Sequence, residues 1–274
     1  MRGPLWVAST LLLTACAAPA TRPSGGRAAS GAQQYRPLPN VPDFATKPYA
    51  PFSRAAAVAI ALREWRLFGQ PVDDDPPGTR TPPPPDLKPE RIEGLWQRVG
   101  EYWWIGLDPT RLEAAWTGKH DAFGTVFDPS DDSSYAWSAA FVSYVMRTAG
   151  AGERFLYSPS HNTYIDAAAR HAPGLAVDAQ PLDVYAPQPG DLICASRTAR
   201  PLRFSDLPAG AFASHCDIVI DRTPGSLTVL GGNVDDAVTM KHVPVTADGR
   251  LSDGGRLLDG RYDWFVVLRV AYDV

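Results

Sequence analysis

The chain has 274 residues, of which 45% are hydrophobic and 20% are charged, so it can build at least one sizeable core. Lys and Arg number 26 and Asp and Glu 30, which gives a formal net charge of -4 with the histidines neutral. Because the charge is slightly negative and no block of basic residues occurs, the chain lacks the electrostatic pattern of a nucleic-acid-binding protein, and we expect no nucleic-acid partner.

The first residues have the pattern of a signal sequence. Arg2 precedes an apolar run over residues 5–13, which is too short to span a bilayer as a helix. The segment that ends at Cys16 resembles a bacterial lipoprotein signal, which implies that residues 1–15 are removed and that Cys16 carries lipid. Because Ala17 rather than Asp follows, the resemblance also implies a cell-envelope protein anchored in the outer membrane and facing the periplasm. An ordinary cleaved signal peptide is the alternative.

Residues 16–49 are rich in Ala, Pro, Gly, Ser and Arg without apolar periodicity, and we predict a disordered tether there. Residues 50–128 are predicted to be a helical N-terminal extension. Their apolar side chains recur three and four positions apart over residues 54–68 and again over about 90–104, which indicates two helices. A proline-rich loop over residues 73–89 separates them.

A third helix is predicted from Trp137 to Gly150, because capping residues precede it and a glycine can end it. Ser138 lies at the N-terminus of this helix on its apolar face, so its hydroxyl is expected to point inward. The dipeptide Ser158-Pro159 predicts the start of a fourth helix, with Ser as the cap and Pro in the first position.

After the fourth helix, the pattern changes to short apolar runs separated by turn residues. These runs predict five strands, over residues 191–195, 215–220, 226–230, 237–245 and 264–271. Helices followed by an antiparallel sheet indicate an α+β fold, with a helical N-terminal part packed on a five- to six-stranded sheet.

Four features of the second half occur in a recognisable order. They are Trp137-Ser138 at a helix start, a turn at 189–191 that leads into a strand, His215 at the start of a strand, and the turn Gly231-Gly232-Asn233. This order resembles the papain-like hydrolases of the bacterial cell wall, the CHAP and NlpC types. The resemblance implies a papain-like domain over residues 129–274.

The resemblance also implies catalytic roles, with Ser138 as the nucleophile, His215 as the base and Asn233 as the residue that orients the base. Asp217 is a second candidate for orienting His215 or contacting substrate, because the alternation of a strand places both on one face. Trp137 and His161 are expected to line the substrate groove. In the resembling family the nucleophile is cysteine, so the serine is a departure from the pattern.

A serine hydroxyl must lose its proton during attack, whereas a thiol near a helix N-terminus ionises readily. Two functions therefore follow for the envelope lipoprotein. One is a hydrolase of peptide or amide bonds in peptidoglycan, with acyl transfer on the same site as a variant. The other is a catalytically inactive relative that binds wall peptides or another envelope protein.

The proposed site residues also have structural interpretations. Ser138 could bond backbone N-H groups at the helix start, and Asn233 could be a turn residue with positive φ. His215 could be a structural histidine bonded to the backbone, and His161 an exposed histidine near a helix cap.

Cys194 and Cys216 remain after Cys16 is assigned to lipid. Adjacent antiparallel strands would bring them together on the face away from His215, where a disulfide or two inert buried thiols are the alternatives. The spacing of His, Cys and carboxylate residues does not indicate a metal site, and we expect no metal and no cofactor.

Overall fold

The computed structural model describes residues 50–107 and 136–274, which belong to one compact unit, Tyr49–Val274. The predicted signal sequence, the predicted lipidation site Cys16 and the predicted tether lie outside the described residues. Within the two described ranges, no helix is long and apolar enough to cross a membrane.

The first two helices lie close to where their periodicity predicts them. Helix α1 covers Arg54–Leu67, and the hydroxyl of Ser53 caps it by accepting a hydrogen bond from the Ala56 N-H at 3.2 Å. Helix α2 covers Leu95–Gly106 and starts later than the predicted residue 90. The reason is Gly94, whose φ of 91° is incompatible with a continuous helix, so the residues before it form two short 3₁₀ turns.

Helix α3 covers Ser138–Thr148 and α4 covers His161–Ala169. The prediction that Ser158 caps α4 and Pro159 begins it is wrong by two residues, because Ser160 has the extended backbone of an N-cap and His161 is the first helical residue. Ser158 still supports this terminus, since its hydroxyl accepts a hydrogen bond from the Ser160 N-H at 3.0 Å.

The strands are β1 Val177–Gln180, β2 Leu192–Ser196, β3 Ser214–Thr223, β4 Ser226–Val234, β5 Ala237–Pro244, β6 Ser252–Asp253, β7 Arg256–Leu257 and β8 Trp264–Val270. Six of them form one sheet in the order β1-β8-β2-β3-β4-β5, and every neighbouring pair is antiparallel. The other two, β6 and β7, form a separate hairpin. The described part therefore has an α+β fold with four α-helices and a six-stranded antiparallel sheet, as the order of the sequence patterns predicts.

Alternate residues of the strands enter two separate apolar clusters, one of which is shared with the helices. Cys216 and Ile218 of β3 belong to the cluster that includes helix residues, whereas Val219 belongs to the other. Helix α2 approaches α3 closely at Gly106, where a Cβ atom would lie 2.6 Å from the Ala140 carbonyl oxygen. This close packing fixes the position of α3, and with it the position of Ser138.

Candidate functional site

Ser138 is the first residue of α3, and only 6% of it is exposed. The preceding residue, Trp137, is fully buried, and its indole N-H donates a hydrogen bond to Glu90 Oε2 at 2.6 Å. Its ring packs against Phe68 and Tyr102. The prediction that Trp137 lines a substrate groove is therefore wrong, because its aromatic surface is used in the core that holds the start of α3.

The closest polar partner of Ser138 is His161. The Ser138 Oγ atom lies 2.8 Å from His161 Nε2, and the other ring nitrogen, Nδ1, is hydrogen-bonded to the hydroxyl of Tyr164. His161 and Tyr164 are neighbours on the surface of α4 because they are three residues apart. His161 is only 4% exposed, so it is neither a surface cap histidine nor a groove residue in the predicted sense.

His215 is bonded to a different partner. Its Nε2 atom lies 3.0 Å from Asp217 Oδ1, and the other oxygen of Asp217 lies 2.6 Å from Lys241 Nζ. Among the described residues no hydrogen bond joins Ser138 to His215, as the predicted pairing would require, and His161 occupies the position next to the serine. The rings of the two histidines nevertheless touch edge to face, with their centroids 5.4 Å apart.

The sheet brings His215, Asp217 and Lys241 together. His215 and Asp217 are two residues apart in β3 and therefore project from the same face, while Lys241 reaches Asp217 from β5. Gly231 of the intervening strand β4 makes room for the pair. A Cβ atom at Gly231 would lie 2.2 Å from Asp217 Oδ1 and 2.9 Å from His215 Nε2, so a side chain there would disrupt the contact.

Asn233 does not orient His215. Its φ is 55°, in the left-handed region that asparagine tolerates, and among the described residues it makes no hydrogen bond to the imidazole. It lines a surface cavity of about 500 Å³ together with residues of the proline-rich loop. The predicted orienting role is therefore wrong for Asn233, and the structure gives the contact with His215 to Asp217.

A buried carboxylate holds α4 beside the start of β3. Asp166 of α4 accepts hydrogen bonds from the backbone N-H groups of Ala209 and Gly210 at 2.9 and 2.6 Å. Ala209 and Gly210 belong to the loop that leads into β3. Their bonds to Asp166 therefore position His161 of α4 relative to His215 of β3. The two histidines therefore meet because one carboxylate ties their elements together.

The electrostatic environment keeps both histidines neutral. Burial lowers the pKa of His215 to about 4, with Arg197 and Lys241 acting in the same direction and Asp217 acting against them. Burial also lowers the pKa of His161 well below its ordinary value, and the neighbouring His215 and Arg197 add to this effect. Burial opposes ionisation of Asp217, but Lys241 and His215 outweigh it and hold the pKa of this carboxyl below its usual range.

Sequence reasoning missed the roles of His161, Tyr164 and Lys241. The spacing of His161 and Tyr164 was visible as a helical pair, but two polar residues at this spacing are common on exposed helix faces. Lys241 carried a clearer signal. It lies on the same strand face as Ala237 and Val243, and a lysine in phase with apolar residues indicates a buried charge that needs a partner.

Cys194 and Cys216 are directly opposite each other in the pairing of β2 with β3, and the structure joins them by a disulfide. Both lie in the apolar cluster that includes helix residues. The bond therefore ties together two strands at the level of the site, since Cys216 stands between His215 and Asp217 in the chain.

Two further observations concern ligands. In the part of the chain that the structure describes, His, Cys, Asp and Glu side chains nowhere converge in groups of three as a metal site requires. A surface cavity of about 620 Å³ is lined by residues 200–204, by the β6-β7 hairpin and by the start of β8. None of Ser138, His161 and His215 lines it, so this cavity is separate from the polar cluster.

Comparison with known proteins gives one family. No curated protein and no solved structure matches the chain. The model of the family DUF2272, described as an uncharacterized protein conserved in bacteria, matches residues 90–270. This match contains α2, α3, α4 and the whole six-stranded sheet, and with them Ser138, both buried histidines and Asp217. Because it covers about two thirds of the sequence, the chain belongs to the DUF2272 family.

Proposed function

We propose that the protein is a cell-envelope lipoprotein whose papain-like domain hydrolyses peptide or amide bonds of peptidoglycan, with Ser138 as the nucleophile. The observation that carries the proposal is the 2.8 Å contact between Ser138 Oγ and His161 Nε2, beside a second histidine held by Asp217. A hydroxyl among neutral imidazoles at a helix N-terminus is the arrangement that serine acyl chemistry needs.

The chemistry follows from these groups. Ser138 Oγ attacks the carbonyl carbon of an amide while an imidazole takes the hydroxyl proton, and the C-N bond then breaks as the proton passes to the leaving amine. Water afterwards cleaves the resulting ester. The first N-H groups of α3 have no acceptor within their own helix, so they are available to stabilise the oxyanion.

Two features of the fold support the papain-like interpretation. The helix that carries the nucleophile precedes the antiparallel sheet in the chain and packs on it, and the histidine bound to a carboxylate comes from the start of a sheet strand. The disulfide between Cys194 and Cys216 supports an extracytoplasmic location, because such bonds persist in oxidising compartments.

A catalytically inactive protein that binds wall peptides or another envelope protein is the second candidate. Two observations favour it: serine stands in place of the cysteine nucleophile, and the site residues are buried away from solvent. Ser138, His161 and His215 are only 6%, 4% and 3% exposed, so a substrate carbonyl can reach the hydroxyl only if the site opens.

The two candidates differ in a digestion experiment. Full-length protein purified in detergent is incubated with purified peptidoglycan, and the soluble products are analysed by mass spectrometry. The hydrolase proposal expects products from the parent and none from Ser138→Ala. His171→Ala changes a histidine whose side chain is 73% exposed and serves as the matched control that keeps activity.

Ser138→Cys separates the remaining outcomes. If Ser138→Cys releases products and the parent releases none, the site retains its geometry but lacks a reactive nucleophile. If parent, Ser138→Cys and Ser138→Ala all release nothing yet bind peptidoglycan equally, the hydrolase proposal is rejected in favour of the binding protein.

A further inference from the structure

The hydroxyl of Tyr164 is hydrogen-bonded to the ring of His161 on the side away from Ser138. Tyr164 is fully buried, and within the described residues its hydroxyl makes one hydrogen bond, to His161 Nδ1. A buried tyrosine hydroxyl needs an acceptor for its proton. Burial raises the pKa of Tyr164 well above its ordinary value, so the proton stays on the phenol.

Two arrangements of protons are possible for the neutral imidazole. In the first, Tyr164 donates to Nδ1 of His161, and Nε2-H of His161 donates to Ser138 Oγ. In the second, Ser138 donates to Nε2 and Nδ1-H donates to Tyr164. The second arrangement leaves the more acidic hydroxyl, fully enclosed by protein, without an acceptor.

The first arrangement leaves only the proton of Ser138 without an acceptor. Ser138 is at the slightly exposed end of the cluster, and its hydroxyl can rotate. A doubly protonated His161 is excluded, since burial, His215 and Arg197 all lower the pKa of this imidazole. In the resting site, the arrangement that satisfies the buried Tyr164 hydroxyl therefore has Nε2-H of His161 donating to Ser138 Oγ.

His215 has the complementary state. Its Nε2 atom must carry the proton to donate to the ionised carboxylate of Asp217, so Nδ1 carries the lone pair. This Nδ1 atom is buried, and no partner for it exists among the described residues. In this arrangement the Ser138 proton has no acceptor and His215 Nδ1 has no donor, and the rings of His161 and His215 are in contact.

We propose that Tyr164 is a positioning residue that fixes His161 as a hydrogen-bond donor to Ser138, so that His161 holds the hydroxyl oxygen and His215 accepts the hydroxyl proton. The inference deepens the proposed hydrolase function and rests on it for the transfer step. In that step the proton moves from Ser138 Oγ to Nδ1 of His215 as the oxygen bonds to the carbonyl carbon. Asp217 then stabilises the imidazolium until the leaving amine takes the proton.

The resting arrangement is tested by NMR, which does not require activity. Full-length protein in detergent is labelled with ¹⁵N-histidine, and long-range ¹H-¹⁵N spectra identify the protonated nitrogen of each ring. His161 is expected to be protonated at Nε2, and Tyr164→Phe is expected to abolish this single tautomer. The exposed His171 and His242 are the internal controls, and His161→Gln assigns the signals.

The proposal is overturned if the parent shows His161 protonated at Nδ1, or if Tyr164→Phe leaves the His161 tautomer unchanged. Both results are informative even for an inactive protein. A parent that shows the expected tautomer but digests no peptidoglycan would therefore contradict the proposed function and leave the tautomer assignment standing.

A matched pair of variants tests the division of roles. Glutamine keeps a donor N-H but cannot accept a proton as a base does. His161→Gln removes part of the support for the Ser138 oxygen and is therefore expected to lower the rate of peptidoglycan digestion by up to about tenfold, the equivalent of one hydrogen bond. His215→Gln is expected to reduce the rate by roughly 10²- to 10⁴-fold. The reverse order would identify His161 as the base and overturn the proposal.

Discussion

Asp217 receives two cationic or polar donors that make its buried charge tolerable. Lys241 is only 1% exposed, and its ammonium group lies 2.6 Å from one carboxylate oxygen, while His215 binds the other at 3.0 Å. The ring of Tyr262 lies 4.6 Å from the same ammonium group and adds a cation-π contact. Lys241 thus balances the charge that would otherwise favour protonation of His215, and the imidazole stays available as a base.

The depressed pKa of His215 predicts a loss of stability in acid. Between about pH 6.5 and pH 4 the unfolded chain binds a proton at this position that the folded chain does not bind, so the free energy of unfolding falls as pH falls through this window. The contribution is roughly 3 kcal/mol. Urea unfolding at pH 7 and pH 4.5 measures it.

His215→Gln should reduce this pH dependence, because the titrating group is gone. His171→Gln, at an exposed position, should leave the dependence as in the parent. An equal slope in parent and His215→Gln would contradict the assignment of the acid sensitivity to His215.

Gly231 is expected to tolerate no side chain. Gly231→Ala places a Cβ atom 2.2 Å from Asp217 Oδ1, so the carboxylate must move away from His215. We expect a loss of about 1 to 3 kcal/mol in the free energy of unfolding and a shift of the His215 NMR signals. Gly260→Ala is the matched control, because a Cβ atom at Gly260 has no neighbour within 4 Å. Unchanged His215 signals in Gly231→Ala would refute the predicted clash.

At the scale of elements, the helices that carry and support the site are joined by Glu64 of α1. This buried carboxylate accepts hydrogen bonds from Arg98 Nε at 2.9 Å and from the Tyr102 hydroxyl at 2.8 Å, both on α2. It also pairs with Arg63 on its own helix and contacts the hydroxyl of Tyr144 on α3. Three helices therefore share one charged centre behind the segment that presents Ser138.

Glu64→Gln should destabilise the fold strongly, because it leaves the arginine charges without their anion in a largely buried place. We expect a decrease of about 2 to 4 kcal/mol in the free energy of unfolding, measured by urea denaturation. Glu101→Gln is the control, since Glu101 also pairs with Arg98 but is 47% exposed, and its loss should cost less than about 1 kcal/mol. Equal effects of the two variants would refute the central role of Glu64.

The elements were predicted to different degrees for physical reasons. Strand β8 was predicted almost to the residue, because a long apolar run bounded by turns has few other interpretations. Strand β1 was missed, since its four residues include two polar ones and its pairing with β8 comes from the other end of the domain. The predicted start of α4 is too early, because Ser158 followed by Pro159 has a stronger helix-start pattern than Ser160, which is the N-cap in the structure.

The site was predictable only where one element determined it. The alternation within β3 is sufficient to place His215 and Asp217 on one face, and the apolar run that begins at Trp137 is sufficient to place Ser138 near a helix start, although the N-cap Trp137 makes no side-chain capping bond. The contact of Ser138 with His161 depends on how α3 and α4 meet, which the sequence pattern of neither helix contains. Tertiary packing therefore decided which histidine lies next to the hydroxyl.

At the scale of the whole molecule, the order of helices before strands was enough to predict the α+β class, while the papain-like identity and the lipid anchor remain proposals.

The proposed lipid anchor at Cys16 can be tested by metabolic labelling. Cells that produce the parent are grown with a labelled fatty acid, and the protein is expected to carry the label and to sediment with membranes. Cys16→Ala should lose the label. An unlabelled parent whose mature N-terminus is another residue would show ordinary signal cleavage instead.

The bridge between Cys194 and Cys216 uses two of the three cysteines of the chain. If the chain is exported and lipidated as proposed, the new polypeptide presents three thiols that can pair, and a disulfide to Cys16 would prevent both the Cys194–Cys216 bond and lipidation. Attachment of the lipid to Cys16 through a thioether before oxidation removes this competition, because a thioether cannot enter thiol exchange. Maturation in that sequence leaves one possible pairing, the one that places β2 against β3.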